Sequence, residues 1–260
     1  MSKIVVFDSG FGGLTVLREL KKVLPDEEYI YYGDSANAPY GDKSHEELLK
    51  LDSAICSKVS AEYDVKCFVI ACNTTTSEVW DDLTGRFSQY DFVGIEPALA
   101  WAAKENPGKR ILVLATTATI NGRRLKKRYE EYKDQAEITL LAAPGIVPYV
   151  ESCNTGSPEF MEYLEGLLGP YIGKTDCVVL GCTHFPFVKN EIREVLGGEI
   201  RFYDAAVTVA QEVRQHLEKR HCLAEKDQSS AASGSNVTYL NSDPSKVELE
   251  ARLLDIYSQV

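Results

Sequence analysis

The sequence predicts an α/β protein whose parallel β-sheets are covered by helices on both faces. Short apolar runs alternate with stretches that carry apolar residues at helical spacing along most of the 260 residues. Several of these runs are rich in Val, Ile, Phe and Tyr and are bounded by Gly, Pro or charged residues, as buried strands are. The length allows one large domain or two smaller ones.

The predicted strands are short apolar runs, of the usual length for a buried strand and too short for a helix. In chain order they cover residues 4–7, 29–32, 67–71, 92–95, 111–115, 138–142, 177–180, 200–203 and 237–240. The predicted helices cover residues 13–24, 44–63, 75–87, 121–132, 158–172, 207–219 and 244–257. Ser242 or Asp243 is expected to cap the last helix, and the low-complexity segment 225–235 is predicted as a surface loop.

Ligands of parallel sheets bind just beyond the carboxyl ends of the strands, so the residues at these ends are the first candidates for a site. Polar and hydroxylated residues are concentrated there. The segments are Asp8-Ser9-Gly10, Gly33-Asp34-Ser35, Cys72-Asn73-Thr74-Thr75, Glu96-Pro97, Thr116-Thr117, Pro144-Gly145, Gly181-Cys182-Thr183-His184 and Asp204-Ala205.

Two of these strand ends are similar to each other. The run Val-Ile-Ala-Cys-Asn-Thr around Cys72 matches Val-Leu-Gly-Cys-Thr-His around Cys182, about one domain length further along the chain. The similarity suggests two related halves that each supply one cysteine at an equivalent strand end. Because the pattern is short, chance is the alternative explanation.

Composition argues against several classes of protein. A net charge of -11 disfavours a dedicated nucleic-acid binder, and the locally basic segment 123–128 is interpreted as the solvated face of a helix. Neither a membrane span nor a signal peptide is expected, because no apolar run is long enough and the first one soon reaches Asp8. Seven irregularly spaced cysteines suggest free thiols in a reducing cytoplasm.

Cys72 and Cys182 are the strongest candidates for reactive groups. Both follow a strand among small and hydroxylated residues, where oriented backbone N–H groups should favour the thiolate. A metal site is disfavoured because no CxxC pair occurs and only His184 lies near either cysteine. A redox pair and a cysteine hydrolase with one idle cysteine are weaker alternatives. The remaining cysteines are interpreted as small buried hydrophobes: Cys56, Cys67, Cys153, Cys177 and Cys222.

The glycine-rich segment at residues 8–15 fits the spacing of neither a dinucleotide fingerprint nor a P-loop. It is interpreted as a tight strand-to-helix turn that presents Asp8 and Ser9 to a ligand. Asp8 could instead cap the following helix. Tyr40-Gly41 would belong either to the same rim or to a purely structural turn.

Two further titratable residues need an interpretation. His184 follows Cys182 by two residues, and its place at a strand end favours an acid/base or electrostatic role over a structural one. Glu151 ends the segment Val-Pro-Tyr-Val-Glu, and composition alone predicts a surface carboxylate there.

With these residues assembled, the sequence resembles the cofactor-independent aspartate/glutamate racemase family over nearly its whole length. His184 and the Asp8-Ser9 opening favour the glutamate racemases within that family over its aspartate racemases. The segments that carry the resemblance are Phe7-Asp8-Ser9-Gly10-Phe11-Gly12-Gly13-Leu14, Ala38-Pro39-Tyr40-Gly41, Ala71-Cys72-Asn73-Thr74, Gly94-Ile95-Glu96-Pro97-Ala98 and Leu180-Gly181-Cys182-Thr183-His184-Phe185-Pro186.

The resemblance implies two similar α/β domains that face each other across a central active-site cleft. The first would comprise residues 1–95 and 207–260, and the second residues 96–206. It further implies a cytoplasmic enzyme, often a homodimer in this family, that needs no cofactor or metal. Its substrate would be glutamate, and its D-glutamate would feed bacterial peptidoglycan synthesis.

The resemblance also implies roles for individual residues. Cys182 would take the α-proton of L-glutamate, and Cys72 would return a proton to the opposite face. Asp8 would assist Cys72, and His184 with Glu151 would assist Cys182. The positions that match the family's substrate-binding segments are Asp8, Ser9, Tyr40, Gly41, Asn73, Thr74, Thr75, Thr183 and His184.

This chemistry suits two thiols. Inverting a stereocentre requires removing a proton from one face of a planar carbanion and returning one to the other face, which two monoprotic groups do directly. The developing negative charge then needs fixed donors in a closed site. An aspartate racemase and a non-catalytic amino-acid-binding module remain as alternatives, and the second would bind its ligand without exchanging the α-proton.

Overall fold

The computed structural model describes residues 2–224 and 236–258, and the predicted loop at 225–235 lies outside the described residues. Within that part of the chain, nine strands form two sheets, and all the paired strands are parallel. Each predicted strand is present, with its ends displaced by no more than two residues. The predicted α/β class with parallel sheets is confirmed.

The strands are β1 (Lys3–Asp8), β2 (Tyr29–Gly33), β3 (Val65–Ile70), β4 (Phe92–Gly94), β5 (Arg110–Ala115), β6 (Glu137–Ala142), β7 (Cys177–Gly181), β8 (Arg201–Asp204) and β9 (Val237–Asn241). They form one sheet in the order β4-β3-β1-β2-β9 and a second in the order β6-β5-β7-β8. The two sheets draw their strands from the two predicted domains, whose exact boundaries stay a prediction.

Helices precede and follow the strands along the chain, as predicted. They are α1 (Leu14–Val23), α2 (His45–Glu62), α3 (Asn73–Glu78), α4 (Trp80–Arg86), α5 (Leu99–Glu105), α6 (Thr117–Asn121), α7 (Arg123–Tyr132), α8 (Ile146–Glu151), α9 (Pro158–Leu168), α10 (Lys189–Leu196), α11 (Ala206–Lys219) and α12 (Val247–Ser258). Among the helices described, none has the length and apolar character needed to cross a membrane.

Two predicted helices differ from those observed, for local reasons. The one expected at 75–87 starts earlier and is broken at Val79 into α3 and α4. In its first turn the Thr76 hydroxyl donates to the Cys72 carbonyl, and such back-bonding bends helices. The one expected at 158–172 ends at Leu168 because Pro170, two residues further on, cannot continue an α-helix.

The last helix is preceded by a short 3-10 turn at Pro244–Lys246. Of the two predicted capping residues, Asp243 caps this turn, because its carboxylate accepts a hydrogen bond from the backbone N–H of Ser245. The prediction of a cap at this position is therefore correct, although the cap serves the 3-10 turn and not α12 itself.

The hydrophobic core extends across both sheets. Residues of α1 and α11 belong to the same buried cluster as β5 and β7, so the second sheet is packed continuously onto helices that flank the first. At the carboxyl ends of the strands, polar residues from the two sheets meet. Three hydrogen bonds join them there: Thr183 to Asp8, the Phe11 backbone N–H to Glu151, and Thr74 to Thr116.

Candidate active site

The carboxyl ends of the two sheets line a narrow cavity, at the place where parallel sheets bind their ligands. Both Cys72, which follows β3, and Cys182, which follows β7, line it. The other lining residues are Ser9, Pro39, Tyr40, Gly41, Asp42, Asn73, Thr74, Thr116, Pro144, Val147, Thr183 and His184. The site therefore gathers most of the residues predicted from the sequence.

Cys72 stands at the N-cap of α3 and is only 4% exposed. Its Sγ lies 3.7 Å from the Ser9 hydroxyl. Burial raises the pKa of the Cys72 thiol to about 12, with the carboxyl of Asp8 adding to the rise and the backbone N–H of Thr75 opposing it. The expectation that this strand end favours the thiolate is wrong for the free protein, because burial beside an acid outweighs one N–H group.

Cys182 has different neighbours. Its Sγ lies 3.8 Å from Nδ1 of His184, whose Nε2 lies 2.6 Å from the Glu151 carboxylate. Burial alone would lower the pKa of His184, but its hydrogen bonds to Cys182 and Glu151 hold that pKa well above the ordinary value. His184 is thus an imidazolium at neutral pH, held between the sulfur and a carboxylate.

Glu151 is not the surface carboxylate that composition predicts. Helix α8 ends at this residue and turns its side chain inward, where the carboxylate also accepts a hydrogen bond from the backbone N–H of Phe11 at 2.9 Å. Glu151 therefore both fixes His184 and ties the loop after β1 to the second sheet.

Asp8 ends β1 and is completely buried between the two halves of the site. Its carboxylate accepts hydrogen bonds from the Thr183 hydroxyl at 3.1 Å and from the backbone N–H of Gly10 at 3.2 Å. Burial raises the pKa of Asp8, while the neighbouring His184 opposes the rise. The alternative that Asp8 caps the following helix is wrong, since α1 begins at Leu14, its N-cap residue is Gly13, and no side chain caps it.

The glycines after Asp8 allow the loop to approach the second sheet. A Cβ atom at Gly10 would overlap the Glu151 carboxylate, and one at Gly12 would lie 2.6 Å from both the His184 ring and the Thr183 hydroxyl. These distances are well below normal contact, so both positions require glycine. The segment is a close-packing device and not a phosphate cradle.

The predicted substrate-binding residues fall into two groups. Ser9, Asn73, Thr74, Thr183, Tyr40 and Gly41 line the cavity, as does His184. The Tyr40 hydroxyl, however, donates to Asp34 at 2.5 Å. Thr75 and Asp8 are fully buried behind the lining.

One buried polar atom in the lining lacks a partner within the molecule. The Oδ1 atom of Asn73 has no hydrogen-bond partner among residues 2–224 and 236–258. It is an acceptor available to a ligand in the cavity.

Thr116 stands in one of the strand-end segments that the sequence analysis singled out, but it was not among the predicted substrate-binding residues. Thr116 lines the cavity, exchanges a hydrogen bond with Thr74 at 2.9 Å and caps α6. Pro144 likewise belongs to a strand-end segment named in the sequence analysis, whereas Val147, within α8, is apolar and gave no signal.

The remaining cysteines lie away from this cavity. Cys56, Cys67 and Cys177 are buried and Cys222 is partly buried, as small hydrophobes are, but Cys153 is exposed, so its interpretation as buried is wrong. In the described parts of the chain, no group of three or more His, Cys, Asp or Glu side chains could hold a metal ion.

Comparison with known proteins supplies an independent line of information. A family model described as Asp/Glu/hydantoin racemase matches residues 13–213. The glutamate racemase of Clostridium perfringens is 35% identical over 253 residues, which cover 96% of this chain and 95% of that protein. The glutamate racemase of Clostridium novyi is 37% identical over 252 residues, covering 96% of each chain.

The same likeness holds in three dimensions. The crystal structure of Escherichia coli glutamate racemase in complex with L-glutamate and an activator superposes with a TM-score of 0.82 at 29% identity. The match covers 99% of this chain and 96% of that one. Similarity of sequence and of fold therefore extends over both sheets and the cavity between them.

Proposed function

This chain belongs to the Asp/Glu/hydantoin racemase family and is an amino-acid racemase, and we propose that it interconverts L- and D-glutamate by proton transfer between two cysteines, without a cofactor. The observation that carries the proposal is the presence of two buried thiols, one from each sheet, on a single cavity. The names of its relatives support glutamate as the substrate.

In the proposed reaction the thiolate of Cys182 removes the α-proton of L-glutamate and becomes a thiol. The carbanion left on the α-carbon takes the thiol proton of Cys72 on its other face, giving D-glutamate and a Cys72 thiolate. The reverse reaction exchanges the two roles. The raised pKa of Cys72 supports its entry as the protonated partner for L-glutamate.

His184 and Glu151 support Cys182 in this proposal. The imidazolium lies against the sulfur and balances the charge of its thiolate, while Glu151 holds the ring in place. Asp8 orients Thr183 through its hydroxyl and lies close enough to influence Cys72.

Neutral polar groups of the lining bind the substrate in the proposed complex. Hydroxyl and amide donors of Ser9, Asn73 and Thr74 suit the two carboxylates. The Thr183 hydroxyl donates its proton to Asp8 and offers a ligand its oxygen as an acceptor. The unpartnered Oδ1 of Asn73 suits the α-ammonium group. Because the site is buried, such hydrogen bonds act with little competition from water.

We further propose that the enzyme works in the cytoplasm as a homodimer and that its D-glutamate supplies peptidoglycan synthesis. Seven free cysteines fit a reducing compartment, and a net charge of -11 disfavours a nucleic-acid partner. Sedimentation of the purified protein tests the dimer.

The proposal is tested by incubating the metal-free protein with L- or D-glutamate in heavy water. We expect α-deuterium to enter the amino acid while optical rotation decays to zero. Cys72→Ser and Cys182→Ser should each lower racemisation on the order of a thousandfold, because one proton transfer then lacks its base. Cys153→Ser, at an exposed thiol, is the matched control and should retain full activity.

Absence of exchange with both enantiomers would contradict the proposed activity, and full turnover by either active-site variant would contradict the two-cysteine mechanism. Parallel assays with aspartate determine which amino acid is preferred. Faster racemisation of aspartate than of glutamate would replace the proposed substrate.

A further inference from the structure

Asp52 is a buried carboxyl that the proposed reaction does not use. It lies in α2, is 0% exposed, and neither of its carboxyl oxygens has a hydrogen-bond partner in the described residues. It shares one helix face with the buried Leu48, Ile55 and Cys56. A buried polar group without a partner destabilises a fold, whereas an apolar residue at this position would not. The presence of Asp52 is therefore better explained by a role in function than by a contribution to stability.

The surroundings of Asp52 favour its neutral form. Burial raises the pKa of Asp52 well above the ordinary value; the Thr75 hydroxyl opposes the rise, and the carboxyl of Asp34 adds to it. The other titratable groups that face it are Asp8, Tyr40, Cys56 and Cys72. Each of these groups is an acid, so Asp52 carries a proton that it can donate.

Thr75 is a neighbour of both Asp52 and Cys72, because α3, which begins just after Cys72, packs against α2. Its hydroxyl acts on both groups, and its backbone N–H acts on Cys72 as well. Thr75 is fully buried and does not line the cavity. Its hydroxyl, like the Asp52 carboxyl, has no hydrogen-bond partner in the described part of the chain. Two unsatisfied polar groups therefore stand together behind one reactive sulfur.

The thiolate of Cys72 needs neighbouring hydrogen-bond donors more than the thiolate of Cys182 does. The titratable side chains that raise the pKa of Cys72 are the acids Asp8 and Asp52, whereas Cys182 has an imidazolium beside it. When Cys72 becomes a thiolate, its negative charge is stabilised by neutral donors, of which the Thr75 hydroxyl is one.

We propose that Asp52 is a positioning residue for Cys72: as a neutral acid it donates to the Thr75 hydroxyl, which in turn donates to the Cys72 thiolate. No proton is transferred along this chain; the two hydrogen bonds form as the thiolate appears, from polar groups that have no partner in the described residues. The inference rests on the proposed function, in which Cys72 is the base for D-glutamate. In this proposal Asp52 supports Cys72 and has no effect on Cys182.

The test requires a substrate that reports a single proton removal. A glutamate with chlorine on its β-carbon is such a probe. When a thiolate removes the α-proton, the electron pair of the C–H bond forms a carbon–carbon double bond and chloride leaves. The enamine then takes up water and gives 2-oxoglutarate and ammonium, so each elimination counts one proton removal. The D-configured probe reports Cys72 and the L-configured probe reports Cys182.

Asp52→Leu removes the donor at nearly constant volume. We expect kcat/KM for elimination from the D-configured probe to fall about tenfold, as for the loss of a hydrogen bond to a charged group, while the L-configured probe changes less than about twofold. Asp52→Asn keeps a neutral donor and should retain most of the D-side activity. Melting of Asp52→Leu should occur at the same temperature as for the natural protein, or higher.

Thr75→Val gives a second route to the same result. It should lower D-side elimination at least as much as Asp52→Leu, and the double variant should be no slower than Thr75→Val alone, because the Asp52 donor acts through this hydroxyl. Should the leucine variant not fold, Asp52→Ala, which also removes the donor, takes its place in the same comparison.

Cys72→Ser separates the two hypotheses. It must abolish elimination from the D-configured probe and spare the L-configured one; any other pattern contradicts the proposed function itself. If it behaves as expected and Asp52→Leu slows both probes equally or neither, the role of Asp52 is wrong. An Asp52→Asn loss as large as that of Asp52→Leu would also overturn it, by showing that the carboxylate form matters.

Discussion

The two cysteines occupy equivalent strand ends but have opposite electrostatic surroundings. The Cys72 side (Ser9, Asp52, Cys72 and Thr75) holds acids and neutral donors, and the Cys72 pKa is raised to about 12. The Cys182 side (Glu151, Cys182 and His184) holds an imidazolium at 3.8 Å from the sulfur. The two similar strand ends therefore place different side chains around the cysteine sulfur.

This difference suggests how one site handles two mirror-image substrates. If both thiols were equally acidic, the resting protein would be a mixture of forms with neither, one or both ionised, and only the singly ionised forms are competent. In the proposed mechanism, the raised pKa of Cys72 favours the form in which Cys72 keeps its proton and serves as the acid for L-glutamate. Turnover of L-glutamate would then produce the other form, in which Cys72 is the thiolate, and the hydrogen-bond donors around Cys72 would stabilise that thiolate.

The largest expected effect comes from removing the cation of the Cys182 side. His184→Asn should lower kcat/KM for racemisation by about 100-fold or more, because the thiolate loses its charge partner. The equilibrium constant of a racemisation is one, so the loss must be equal from L- and from D-glutamate. With the chlorinated probes, only the L-configured one should slow down.

The same residue gives a pH dependence. Its pKa in the folded protein is well above the ordinary histidine value, so the imidazolium persists through neutral pH and is lost as the pH rises through that raised pKa. Activity on the alkaline side should fall accordingly, and this limb of the profile should disappear in His184→Asn. His45→Asn, at an exposed histidine paired with Asp82, is the control. An unchanged profile in His184→Asn would contradict the assignment.

A smaller effect is expected from crowding the contact between the two sides. The added methyl of Gly12→Ala would displace the His184 ring and the Thr183 hydroxyl, and misplacement of about 1 Å costs on the order of 100-fold in rate or less. Gly85→Ala is the matched control, because a Cβ there meets no atom within 4 Å and lies in a helix. Equal activity of the two variants would show that the loop can give way.

The smallest effect concerns stability and the acid-rich first sheet. Burial raises the pKa of Glu250 on α12 to about 8 from 4.5, although Asn241 donates to it. A carboxyl with a raised folded pKa destabilises the fold increasingly as pH rises from about 4.5 to about 8. Glu250→Gln should therefore stabilise the protein at pH 8 by about 1–3 kcal/mol.

Denaturant unfolding at pH 5 and pH 8 measures this difference. The gain of Glu250→Gln over the natural protein should be near zero at pH 5 and largest at pH 8. Glu248→Gln, in the first turn of the same helix, is the control and should show no such growth with pH. A gain that does not depend on pH would mean that Glu250 is already ionised when folded.

Much of the site followed from local pattern. Period, length and turn residues predicted the strands, and the rule for parallel sheets pointed to their carboxyl ends, where Asp8, Cys72 and Cys182 were found. Asp52 also left a signal, because an acid stands within the apolar stripe of α2. That signal alone does not predict a role, because the groups that face Asp52 come from other segments of the chain.

Other features depend on atoms brought together from distant parts of the chain. The partnership of Glu151 with His184 joins two segments of the second half that are 33 residues apart in the chain. The glycine contacts of the loop after β1 arise only when the two sheets face each other. The acidity of Cys72 is of the same kind, since it depends on burial and on Asp8. For this reason composition wrongly predicted a surface carboxylate at Glu151, and the oriented N–H groups at the strand end wrongly predicted a favoured thiolate at Cys72.

The sequence by itself determined the parallel α/β class, the order of the elements and the placing of one cysteine at each of two similar strand ends, because periodicity and turn chemistry act over a few residues. Only the tertiary structure decided that Cys72 lies among acids and Cys182 beside a cation. Protonation depends on desolvation and on charges a few ångströms away, and those distances are set by packing between segments that are far apart in the chain.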